Sequence, residues 1–151
     1  MEDTMSSTPE LLARRLIEEG FNQGDLSVAE DLISPSMVEH QQYGPDHAPG
    51  AEGVNAVISS LKRAFSDFHL TIGDLAVNGD TVWLRMTGTG TNDGSFMGHP
   101  PTGRRMRTDV FDALRFEGDR IAEHWGVPDR LGTLFQLGLA GSPSAVPPVD
   151  R

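Results

Sequence analysis

The hydrophobic period of this chain changes once, at Phe68, and that change limits the available folds more than any other feature. Before it, apolar residues recur at spacings of three and four; after it, they alternate and are broken by two tight turns. Thr8-Pro9-Glu10 reads as a capped helix start, with Leu12, Leu16 and Ile17 on one face and Gly24 at the close. Asp25 opens a second helix carrying Leu26, Ala29, Leu32 and Ile33, which Ser34-Pro35 stops. A short strand, Met37 to Gln41, and a loop, Gly44 to Gly53, lead to a third helix over about 51–65, with Val54, Val57, Ile58, Leu61 and Phe65 at helical spacing.

The second half reads as an antiparallel meander. Leu70 and Ile72 begin a strand that turns at Asn78-Gly79, and Val82, Leu84 and Met86 alternate in the next. A Gly- and Pro-rich connection, Gly88 to Gly103, precedes a strand over 104–116, a turn at Gly118-Asp119 and a strand over 120–127. Asp129 opens a last short helix. Helices followed by strands predict an α+β fold with helices against one face of a curved antiparallel sheet. Residues 1–7 read as a disordered leader, 8–138 as one domain, and 139–151 as a flexible Pro/Ser tail.

Several functions are excluded early. With 12 Lys+Arg against 22 Asp+Glu the formal charge is −10, which argues against nucleic acid as a partner. No apolar run is long enough to span a membrane, and the acidic start Met-Glu-Asp-Thr is unlike a secretory signal, so a cytoplasmic location is expected. There is no cysteine, no zinc-ligand spacing and no Gly-rich phosphate loop.

The second hairpin carries the chemistry. A two-residue turn at Gly118-Asp119 pairs Glu117 with Arg120, and strict alternation then sets Leu114 opposite Glu123 and Asp112 opposite Trp125. The resulting face, Val110, Asp112, Leu114, Phe116, Ile121, Glu123, Trp125 and Val127, is apolar apart from two acids. Two carboxylates in an apolar wall cannot both ionise cheaply, so Asp112 and Glu123 are candidates for general acid/base work. His40 is a candidate base or donor, while His124 falls on the outward face with Phe111, Ala113 and Arg115. That mixed outward face, with Trp83 and Arg85 one strand away, predicts a homodimer.

These segments carry a resemblance. Phe21-Asn22-Gln23-Gly24-Asp25-Leu26, Met37-Val38-Glu39-His40, Gly94-Ser95-Phe96-Met97-Gly98, Pro101-Thr102-Gly103-Arg104, Asp112-Ala113-Leu114-Arg115-Phe116 and Ile121-Ala122-Glu123-His124-Trp125, together with Asp129, resemble the SnoaL-like polyketide cyclase family over roughly residues 10–138. The resemblance implies a nuclear-transport-factor-two-like cone, a sheet wrapped around three helices, often dimeric. It implies aldol-type ring closure or isomerisation of a small, mostly apolar carbonyl compound, with neither metal nor organic cofactor. The matching segments supply Asp112, Glu123 and His40 as catalytic candidates. Trp125, Leu114, Met86, Phe96 and Met97 are the expected substrate contacts. Two departures stand out: Gly126, where some relatives carry an acid, and Asn92, where some carry histidine. Alternatives are an epoxide hydrolase- or hydroxylase-like member, which needs an acid–arginine–acid group, and a non-catalytic small-ligand binder.

Overall fold

The computed structural model describes residues 7–140, so the leader before Ser7 and the tail beyond Ala140 lie outside the described residues. The first helix is α1 (Pro9–Arg15), capped by the Thr8 side chain, and it runs on as a π-helical segment over Leu16–Asn22. Then come α2 (Ser27–Leu32), β1 (Ile33–Glu39), α3 (Gly50–Ala64), β2 (His69–Asn78), β3 (Thr81–Thr91), β4 (Arg105–Glu117), β5 (Arg120–Pro128) and α4 (Arg130–Gln136). The expected α+β order holds. β3 continues through the Gly88–Thr91 stretch that reads as loop in the sequence, because Gly88 and Gly90 pack without side chains against Leu70 and Phe65.

The five strands form one sheet in the order β1-β5-β4-β3-β2. The meander is antiparallel, and β1 joins its edge parallel to β5. Leu16, Ile17, Phe65, Leu84, Met86, Leu114 and Ile121 share the core between the concave sheet face and the helices. Polar ties fix the helices to the sheet. Asn22 bonds both backbone groups of Leu70, at 2.8 and 2.9 Å, and the Lys62 ammonium donates to the carbonyls of Asn22 and Phe68.

One irregularity corrects the expected pairing. Glu117 faces Arg120 and Phe116 faces Ile121, but Arg115 then faces Glu123, leaving Ala122 as an extra residue on β5. Beyond this bulge the register is shifted by one, so Leu114 faces His124 and Asp112 faces Gly126. Ile121 and Ala122 are both buried, and Ala122 has no partner on β4. Every later side chain on β5 changes face. His124, Gly126 and Pro128 turn inward; Glu123, Trp125 and Val127 turn outward. Asp112 and Leu114 lie on β4 and keep their inward positions.

Candidate active site

The concave face encloses a cavity of about 140 Å³. Its walls are mostly apolar, with Ile17, Phe21, Leu61, Met86, Val110 and Leu114 among them. Polar groups gather on one side, where β1, β4 and β5 run together: Glu39, Asp112 and His124, with Gln41 and Tyr43 from the loop after β1. Among the described residues, no cluster of three or more His, Asp or Glu is arranged to hold a metal ion.

His124 is the centre of this group, and strict alternation hides it in the sequence. Its Nδ1 lies 2.7 and 2.9 Å from the two oxygens of Glu39, and its Nε2 lies 3.4 Å from Asp112 Oδ2. The parallel pairing of Glu39 with His124 and the shifted pairing of Leu114 with His124 bring the three side chains together. Burial alone would lower the imidazole pKa. The bonds and charges of Asp112 and Glu39 outweigh it and push the value to about 9. His124 is therefore an imidazolium at neutral pH, held firmly by Glu39 and more loosely by Asp112. Nearly all of the triad is sheltered from solvent, with His124 at 13% and Asp112 at 16% side-chain exposure. A looser Asp112 can accept a proton from a third group while the imidazolium donates to another oxygen.

The expected Asp112–Glu123 pair does not form. Glu123 sits on the outer face, where Arg115 Nε donates to its Oε1 at 2.8 Å and His40 Nε2 lies 2.8 Å from its Oε2. The His40 bond, then the Arg115 bond, pull its carboxyl below the ordinary range, so it is an ionised clamp between β1, β4 and β5. His40 stacks on Trp125 with ring centroids 4.5 Å apart and planes 5° from parallel. Neither His40 nor Trp125 lines the cavity. Of the expected contacts, Met86, Leu114 and Phe96 line it, whereas Met97 is 55% exposed on a turn. The acid–arginine–acid row expected of a hydrolase exists as Glu117–Arg115–Glu123, but on the outer face.

The two departures also resolve. Asn92 is fully buried; its amide donates to Ala64 O and Gly94 O and accepts from the amide and hydroxyl of Thr102. It is a saturated structural bracket. At Gly126 an added Cβ would collide with the Gln41 amide oxygen and approach Asp112 Oδ1 and His124 Cε1 to 2.9 Å. The missing side chain makes room for the Gln41 amide beside Asp112. Gly126→Ala should displace Gln41, a flexible side chain, at little cost in stability. Crowding Asp112 should lower turnover by about tenfold or more; thermal melting and steady-state rates on the same sample separate the two effects.

A cone-shaped α+β fold with Glu39, His124 and Asp112 grouped on the wall of an apolar cavity defines a small-molecule pocket. The profile of the SnoaL-like polyketide cyclase family matches residues 11–137. The chain is 33% identical over 133 residues to the aklanonic acid methyl ester cyclase DnrD of Streptomyces peucetius, covering 84% of this chain and 88% of that protein. Its structure is similar to TsrD from Streptomyces laurentii, with 30% identity, a TM-score of 0.79, and 93% and 100% of the two chains covered. It is also similar to IdmH, a proposed polyketide cyclase from Streptomyces antibioticus, with 33% identity, a TM-score of 0.75, and 87% and 99% covered. The chain belongs to the SnoaL-like polyketide cyclase family, which supports a cyclase-like role. No helix among the described residues is long and apolar enough to cross a membrane.

Proposed function

We propose that this chain closes a ring of a polyketide by intramolecular aldol addition, with Asp112 and His124 as the proton-transfer pair. The observation that carries the reading is the placement of both groups on one wall of an apolar cavity, with the imidazolium pinned by Glu39. Asp112 takes a proton from the carbon next to a carbonyl, and the enolate carbon bonds to a ketone carbon of the same molecule. The ketone π electrons become an alkoxide. His124 protonates that oxygen, and Asp112 passes its proton back to His124 across their 3.4 Å contact. Product and substrate are isomers, and each group returns to its starting state.

The curated relatives act on aklanonic and nogalonic acid methyl esters. A substrate of that kind suits these walls, and 140 Å³ holds about one ring, with the remainder at the mouth. The reading is tested by incubating the protein with aklanonic acid and with its methyl ester and following ring closure by chromatography. Turnover of either supports it, and no turnover of both, with the protein folded, rejects it.

The same reading pairs two copies through the outer sheet face. Trp83, Phe111 and Val127 are more than half exposed there, beside Trp125, and a lone subunit rarely leaves so much aromatic surface in water. Arg85 and Asp74 border the patch with opposite charges, which suits self-complementary docking. Phe111→Glu should turn a dimer into a monomer in sedimentation. A wild-type monomer at micromolar concentration contradicts the pairing.

A further inference from the structure

The cavity also carries a cationic side chain, opposite in sign to the triad carboxylates. Arg130, the first residue of α4, is the sole arginine or lysine lining the cavity among the described residues. Its guanidinium forms no ion pair there. Its neighbours are the Met97 sulfur, 3.5 Å from Nη1, and the face of Phe96, 5.9 Å away. The acid next to it is otherwise engaged: Asp129 Oδ1 accepts from Gly132 N and caps α4. Tyr43 lines the same cavity, with its ring stacked on His47 at 4.4 Å, and its hydroxyl has no hydrogen-bond partner among the described residues. Burial, then the charges of Glu39 and Asp112, push its phenol pKa up, while Arg130 acts against that rise. The hydroxyl therefore remains a donor, within electrostatic reach of Arg130 as well as of the two carboxylates.

We propose that Arg130 and Tyr43 form a carboxylate subsite in the cavity, so that this chain favours a substrate carrying a free acid over the corresponding methyl ester. This rests on the cyclase reading and names its substrate class. Charge fixes the orientation. The triad, two carboxylates around one imidazolium, carries a net charge of about −1, so an anionic group entering first would be repelled. A carboxylate at Arg130 is matched by the unpaired guanidinium. A methyl ester offers the guanidinium only neutral acceptors, and hydrogen bonds between ions are the stronger kind.

Fluorescence titration with 2-naphthoate and methyl 2-naphthoate tests this without requiring turnover. The fused rings suit the apolar walls, and the acid or ester is what Arg130 and Tyr43 discriminate. Wild type should bind the acid about tenfold more tightly than the ester. Arg130→Gln should weaken the acid about tenfold and leave the ester nearly unchanged, Arg130→Lys should retain part of the preference, and Tyr43→Phe should weaken the acid several-fold. If neither probe binds, if both bind equally, or if Arg130→Gln weakens both alike, the subsite is refuted. Failure of the cyclase reading would appear separately, as absent turnover alongside an intact acid preference.

Discussion

Asp112→Asn should lower turnover by a factor on the order of a thousand while the protein stays folded. A positioned acid or base contributes about a hundred- to ten-thousandfold, and asparagine keeps the shape of the side chain but not its proton affinity. The neighbouring imidazolium retains Glu39, its closer partner at 2.7 Å, so the change should cost only a few degrees in melting temperature. Glu123→Gln provides the contrast. It cuts a clamp to Arg115 and His40 on the outer face, and turnover should stay within about threefold of wild type. Steady-state rates for both variants, with melting curves on the same samples, separate the two sites.

The second large effect is on stability with pH. His124 titrates near 9 in the folded chain and near its ordinary 6.5 in the unfolded one. A raised folded value stabilises fully below the unfolded pKa, and that contribution is lost as pH rises through the folded pKa. Stability should therefore fall between about pH 6.5 and 9 by up to about 3 kcal/mol, since a tenfold change in proton affinity corresponds to about 1.4 kcal/mol. Denaturant midpoints measured from pH 6 to 10 should show this decline, and His124→Gln should flatten it. A wild-type midpoint constant over that range would mean that the imidazolium is not held by its carboxylates.

The helices, the meander and both hairpin turns were legible because each has a local cause. Thr8 caps α1, Leu61 and Phe65 recur at helical spacing, and the turns fall at Gly118-Asp119 as expected and at Gly79-Asp80, one residue beyond the expected Asn78-Gly79, since Asn78 pairs with Thr81. Asp112, Leu114 and Met86 were legible for the same reason, since they lie on strands that alternate without a break between the turn and the site. What failed was a count carried across Ala122. A single extra residue moves Glu123 and Trp125 out and His124 in, and no residue type in a short strand announces it. The one available signal was the adjacent apolar pair Ile121-Ala122, where alternation calls for a polar residue. Glu39 was hidden for a different reason: its partner is supplied by a parallel edge pairing between residues 85 apart in sequence, and nothing local specifies that contact.

The proposed role of Asp112, inside the cavity and beside His124, is to move the substrate proton. Exchange of the hydrogens next to the carbonyls of aklanonic acid methyl ester, or of the free acid, for deuterium in D2O reads that step without waiting for ring closure. The wild-type protein and Glu123→Gln should both accelerate exchange well above the uncatalysed rate, and Asp112→Asn should return it to that background. Exchange that survives Asp112→Asn but disappears in Glu123→Gln would contradict this account and return the chemistry to the outer face.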